Sequence, residues 1–437
     1  MRRAAGILAL AFLSATTLGQ PARADTTLTI ATVNNADMIR MQSFTQDFEQ
    51  AHQGIHLRWV TLEENVLRQR VTTDIATDGG QFDVMTIGTY EIPIWAKRGW
   101  LVPLTDMGAD YDKADILPRV REATSVDGKL YGAPFYGESA MTYYRTDLFK
   151  KAGLTMPDKP DWAFIRQAAD KITDRKDGIY GICLRGKAGW GENMALITSM
   201  SNSFGARWFD EKWNPQFNTP EWHQTLQTYV DLMQKDGPPG AASNGFNENL
   251  ALFNAGKCGM WIDATVAGSF TTNPKESQVA DEVGFVVAPT DKQRANWLWA
   301  WSLAIPSASK KIDAAKTFIE WATDKAYTQL VASKQGWGSA PPGTRTSLYQ
   351  NPEYQKAAPY AKLTLASIEA ADPNHPTVEP VPYVGVQYAA IPQFQGIGTA
   401  VGQQFASALT GAQSVDQALA AAQHLTERQM RHFGYIK

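Results

Sequence analysis

Two carboxylates in this 437-residue chain stand where an acid is costly to keep: Glu138 lies inside the apolar stretch PFYGES, and Asp263 ends MWID. Burying either without a partner is expensive, so each implies an Arg or a ligand that hydrogen-bonds to it. Glu138 and Glu192 also meet the minimal inventory of a glycosidase, which works with two carboxylates. An exported carbohydrate-active enzyme and a ligand-sensing module for a receptor therefore stay open as alternatives. Other chemistry fails on spacing. His52 and His56 stand four apart, but Gly54 interrupts them and the following residues read as strand, so no metal pair is expected. Gly396, Gly398 and Gly402 form GxGxxxG in a helical context with no preceding dinucleotide-type strand, so no cofactor is expected. No GxSxG, HExxH, P-loop or Cys-His arrangement occurs. Cys183 and Cys258 are the only cysteines, and the sequence leaves a disulfide and two buried thiols equally open.

The elements that must position these residues follow from periodicity. Thr27 to Val33 alternates polar and apolar residues, and Asp37 is placed to cap a helix carrying Met38, Met41, Phe44 and Phe48 on one face. His56 to Val60 reads as a second strand, Glu63 to Ala76 as a second helix and Phe82 to Ile87 as a third strand. This βαβαβ order calls for a mainly parallel sheet with helices on both faces. Three Gly- or Pro-containing links look like crossings between two lobes: Gly132 to Ser139, Val283 to Pro306 and Gly336 to Arg345. Crossings of this kind leave a cleft at the junction, where small ligands bind. Trp190, Trp261, Trp297, Trp299, Trp301 and Trp337 fall in or beside them.

The N-terminus predicts export. Met1-Arg2-Arg3 precedes an apolar run from Ala4 to Leu13, and Ala22-Arg23-Ala24 supplies a small-x-small cleavage site before Asp25. The run is too short to span a bilayer, and no Cys follows it for lipid attachment. Removing residues 1–24 takes the formal charge from -3 to -6, and no basic run suggests nucleic acid or an anionic membrane as partner. The remaining chain, about 413 residues, exceeds what a single core usually supports.

Several segments in order resemble the maltose-type family of extracellular solute-binding proteins of ABC importers. They are FDVMTIGTYEIPIWAKRGWLVPL at Phe82 to Leu104, DGKLYGAPFYGESAMTYYRTDLFKKAGL at Asp127 to Leu154, LFNAGKCGMWID at Leu252 to Asp263, WAWSLAIPSASKKIDAAKTFIEWAT at Trp299 to Thr323, and IPQFQGIGTAVGQQFASALTGAQSVDQALAAAQ at Ile391 to Gln423. Together they run nearly the whole length after residue 24. The forms GKAGWGENMA and VPYVGVQYAAIPQFQ are most similar to the subgroup that binds sorbitol, mannitol and related linear polyols.

That resemblance implies an α/β, two-lobed periplasmic-binding-protein fold of type II with the ligand cleft between the lobes. The N-terminal lobe is expected over 25–134 and 290–339, and the C-terminal lobe over 135–289 and 340–437. By position in the family motifs, Asn34, Asn35, Thr89 and Tyr90 are expected to supply first-lobe contacts, with Tyr136 and Glu138 at the crossing. Trp190, Glu192, Asn193 and Asp263 are expected from the second lobe, and Trp299, Trp301, Trp337 and Arg345 from the later crossings. Carboxylates and amides pair with vicinal hydroxyls, and aromatic faces cover C–H edges, so this set suits a polyol or small sugar. The sequence departs from the maltose-binding pattern at Tyr90 and Glu91, and Gly398 stands where an aromatic is usual. Both departures favour smaller ligands over oligosaccharides. The implied partners are the ligand and the membrane permease subunits of an ABC importer, with the chain acting as a monomer, free in the periplasm. Bending is expected near Ala133 to Gly137, Ala288 to Thr290 and Gly338 to Gly343.

Overall fold

Thr26–Val33 does form a strand, but Leu28 to Val33 are all buried, so both faces of it are covered rather than one. The computed structural model describes residues 25–437, so the expected signal segment lies outside the described residues. The following helix starts differently from the sequence expectation. Asn35, not Asp37, is its cap: extended backbone at Asn35 lets its side-chain oxygen accept from the Met38 amide, while Asp37 sits in the first turn. The helical segment is also broken at Phe44 into Ala36–Ser43 and Thr45–Ala51.

The strands are β1 (Thr26–Val33), β2 (Ile55–Leu62), β3 (Val84–Ile87), a short hairpin of β4 (Ser125–Val126) and β5 (Lys129–Leu130), β6 (Ala133–Glu138), β7 (Ala140–Arg145), β8 (Tyr180–Cys183), β9 (Cys258–Ala264), β10 (Val283–Val287) and β11 (Trp299–Ala304). They form one sheet ordered β2-β1-β3-β11-β6 and a second ordered β10-β7-β9-β8. Helices flank both sheets, giving the two α/β lobes. The strand directions are mixed rather than mainly parallel. β1 runs parallel to β2 and β3, but β11 is antiparallel to β3 and β6, and β7 is antiparallel to β10 and β9. β11 enters the first sheet from the second lobe, and so runs against the strands that leave it.

The chain crosses between the sheets at Ser139, since β6 stays in the first sheet through Glu138 and β7 opens the second. That is beyond the boundary expected at 134. The return runs through Ala288 to Leu298, between β10 and β11. The third expected crossing, at 339, falls too early. The Pro342 carbonyl accepts from the Gly137 amide, the Thr344 carbonyl accepts from the Leu117 amide, and Ser347 bonds to Asp115, so this stretch is still tied to the first lobe. Gly137 and Gly343 meet backbone to backbone, and a Cβ on Gly343 would lie 1.8 Å from the Gly137 carbonyl oxygen. Only glycine permits that approach, and Gly343 also has a left-handed φ of +74°.

The second lobe is closed by the C-terminal helices Phe394–Leu409 and Val415–His432, which pack on Asn193–Phe204 and Pro220–Asp236. Cys183 and Cys258, left open by the sequence, are joined as a disulfide with Cα atoms 5.8 Å apart. No helix among the described residues is long and apolar enough to cross a membrane.

Candidate ligand-binding site

A cavity of about 130 Å³ lies between the lobes, an order of magnitude above the ~10–15 Å³ that one water requires. Its first-lobe wall begins with Asn34 and Asn35 at the end of β1 and continues with Glu63, Glu64 and Arg68 at the start of helix Glu64–Ala76. β6 adds Tyr136 and Glu138, and β11 adds Trp299 and Trp301. Register fixes part of this wall, since Glu138 sits opposite Trp299 and Tyr136 opposite Trp301 across the β6/β11 ladder. The second lobe contributes Arg185, which follows β8, then Lys187, Trp190 and Glu192, with Phe246 and Asn247 from the start of helix Phe246–Asn254. Trp297 and Gln387 close the space from connecting segments.

The lobes touch around this cavity. Lys187 Nζ lies 2.6 Å from Glu63 Oε1, Asn247 donates to the Asn34 carbonyl at 2.8 Å, and Asn65 donates to the Ala188 carbonyl at 3.2 Å. A ligand inside is therefore bounded by both lobes.

Glu138 is the most exacting group in the wall. It is 6% exposed and forms no side-chain hydrogen bond or ion pair with another described residue. Burial drives its pKa well above the usual carboxylate range, against the attraction of Arg185. Glu192 is pushed up to about 8 by burial and by Glu64, against Arg185 and Lys187. The Trp190 and Trp297 indole nitrogens are buried with no hydrogen-bond partner among the described residues, and Glu192 Oε2 has only the Arg185 guanidinium at 3.6 Å. The cavity thus brings together donors and acceptors that the protein itself leaves unsatisfied, which is chemistry suited to a ligand carrying several hydroxyls.

Asp263 is elsewhere. It is fully buried, does not line the cavity, and spends its carboxylate on the protein. Arg185 approaches it through Nη2 at 2.7 Å and Nε at 2.9 Å, the Trp261 indole donates at 3.1 Å, and the Ala264 amide donates at 2.7 Å. The expected Asp263 contact is corrected to Arg185, which the aspartate aims at the cavity.

Five other expected contacts also lie outside the cavity wall. The Asn193 side chain accepts from the Gly189 amide and donates to the Gly402 carbonyl, which ties a turn to the C-terminal helix. Thr89 accepts from the Tyr388 hydroxyl. Tyr90 donates to the Ile391 carbonyl at 2.9 Å, and its ring centroid lies 4.7 Å from that of Trp190, so it buttresses a cavity residue. Arg345 is clamped within the first lobe, donating to the carbonyls of Thr323 and Asp112, and Trp337 shares that distant surface pocket. Both lie in the third link, which keeps to the first lobe instead of crossing at the cleft. Asn34, Asn35, Tyr136, Glu138, Trp190, Glu192, Trp299 and Trp301 do line the cavity.

Sequence reasoning missed Arg68, Arg185, Lys187, Glu63 and Glu64. A signal for Arg68 existed in its i,i+4 spacing from Glu64 at the start of a helix that follows a strand. Gly398 also finds its explanation. A Cβ there would fall 2.9 Å from the Trp190 Cβ, so Trp190 packs where a larger side chain at 398 would stand.

Residues 35–329 match the family described as Bacterial extracellular solute-binding protein, and the chain belongs to that family. Over 433 residues it is 57% identical to the mannitol-binding protein of Pseudomonas aeruginosa, with 98% of each chain covered. A crystal structure of an ABC transporter solute-binding protein from Agrobacterium vitis S4 with bound D-mannitol is 69% identical with a TM-score of 0.93, covering 94% of this chain and 100% of that one. A ribitol complex of an ABC transporter solute-binding protein from Agrobacterium radiobacter K84 is 24% identical with a TM-score of 0.82, covering 93% and 99%, and shows the shared fold alone.

Proposed function

We infer that this protein is the substrate-binding component of an ABC importer and that its cavity captures a six-carbon linear polyol such as D-mannitol or sorbitol without altering it. The observation that carries the reading is Glu138, a buried carboxylate in the cavity wall with no hydrogen-bond partner among the described residues. A polyol hydroxyl supplies the missing donor. The mannitol-binding relative and the mannitol complex support a hexitol over other polyhydroxylated ligands. In this reading the chain is exported to the periplasm, works there as a monomer without a lipid anchor, and passes its ligand to permease subunits.

Calorimetric titration with hexitols, pentitols, monosaccharides and disaccharides tests the assignment. A hexitol should bind most tightly and be recovered unchanged. Preferential binding of a disaccharide would overturn the polyol assignment, and a chemically altered ligand would move the protein to the carbohydrate-active enzymes.

A further inference from the structure

The tryptophans of the cavity are not open platforms. The Arg68 guanidinium carbon lies 4.1 Å from the ring centroid of Trp190, 4.7 Å from that of Trp299 and 4.7 Å from that of Trp301, so one cation sits in a box of three indoles. Two of those rings are also covered from elsewhere. Tyr90 packs on Trp190, and Trp299 lies so close to Gly88 that a Cβ there would come within 1.9 Å of its ring.

Arg68 is held firmly in this position. Nη1 donates to Glu91 at 2.8 Å, while Nε and Nη2 donate to Glu64 at 3.0 and 2.7 Å. Glu91 in turn accepts from the Gly88 amide at 2.9 Å. Arg68 is 4% exposed, and its planar fork matches two carboxylates and stacks on indoles in a way that an ammonium cannot.

A pyranose presents a flat C–H face that binds best on an open aromatic ring, whereas an open-chain polyol depends more on hydrogen bonds along its length. We propose that Arg68 determines specificity: its guanidinium fills the indole box that would otherwise receive a sugar ring, so the site takes the open chain in preference to the ring form of the same carbon skeleton. This inference rests on the polyol reading above.

The test compares D-mannitol with its ring analogue 1,5-anhydro-D-mannitol, which cannot open, by calorimetry on the full-length mature protein. The wild type should favour mannitol by about a hundredfold or more, as expected when site groups lose hydroxyl partners and the ring finds no open face. In Arg68→Ala combined with Glu91→Gln, which opens the box without orphaning Glu91, that ratio should fall by at least about tenfold through gained ring binding. Circular dichroism melting establishes that the variant is folded. If it is not, Arg68→Gln carries the test, and the ratio should fall by at least about threefold because the box is only partly opened. A folded variant that keeps the wild-type ratio, or a wild type that takes the anhydro ring as well as mannitol, overturns the inference while leaving polyol binding intact. A wild type that binds neither overturns the polyol reading and this inference with it.

Discussion

Arg185 and Asp263 form a fork in which two guanidinium nitrogens reach the carboxylate at 2.7 and 2.9 Å, with Asp263 fully buried and Arg185 at the cavity wall. The aspartate therefore acts on a ligand through the arginine. Asp263→Ala strips the buried Arg185 of its two-point partner, leaving it only the Gly191 carbonyl at 2.9 Å and Glu192 at 3.6 Å, and should destabilise the ligand-free protein by about 3 kcal/mol, visible as a large drop in melting temperature. A substitution that weakens binding while leaving melting unchanged would return Asp263 to direct ligand contact.

Glu138 should behave in the opposite way. Glu138→Gln keeps the shape and removes a buried carboxylate with no hydrogen-bond partner among the described residues, so the ligand-free protein should melt no lower than wild type. Glu138→Ala should weaken hexitol binding by about 1–3 kcal/mol, because the hydroxyl it serves loses its acceptor. Calorimetry and melting on the same preparations separate the two effects.

Stability of the ligand-free protein should depend on pH through these acids. Burial raises Glu192 from 4.5 to about 8 and Glu138 well above 4.5, so across that interval the folded state holds protons that the unfolded state has lost. Their contribution is fully present below the unfolded value and is lost as the pH rises through the folded one, so melting temperature should fall from pH 5 to pH 8. Replacing Glu192 by Gln should flatten that slope. A wild-type melting temperature that does not fall over this range, and is unchanged by Glu192→Gln, would show that Arg185 and Lys187 keep both groups ionised.

The Cys183–Cys258 disulfide closes a loop with a sequence separation of 75. Reducing it, or substituting both cysteines by Ala, should cost about 2–5 kcal/mol of stability, chiefly by freeing the unfolded chain. Denaturant unfolding with and without reductant measures this. The bridge joins the end of β8 to the start of β9 and neither cysteine lines the cavity, so hexitol affinity at temperatures below melting should change little.

Closure should be driven by the ligand rather than by the bridges at the rim. The Lys187–Glu63 pair spans the lobes, but its side chains are 28% and 39% exposed, so solvent screens it and it is worth about 0–1 kcal/mol. Lys187→Ala should therefore weaken binding by less than about tenfold. Saturating ligand should still reduce the radius of gyration in small-angle scattering, since a ligand bounded by both lobes favours the closed state. An unchanged curve with binding confirmed would indicate a cleft closed before the ligand arrives.

The two-lobed α/β class was legible in the chain because it rests on local periodicity. Alternation in Thr26–Val33, helical spacing from Met38 to Phe48 and a βαβαβ order are properties of consecutive residues, and the family motifs extend the same information over most of the length. The cavity residues that could be read, such as Asn35 at a strand end and Glu138 in an apolar run, advertised themselves through immediate neighbours. The remainder depended on which distant segments meet. Whether Asp263 faces a ligand or Arg185 turns on a contact across 78 positions, and whether Arg345 reaches the cleft turns on where the third link stays bound. Arg68 became a site residue only when two lobes placed three indoles around its guanidinium. Sequence fixes the cost of burying a charge at each position, but the partner that meets that cost is chosen by tertiary packing.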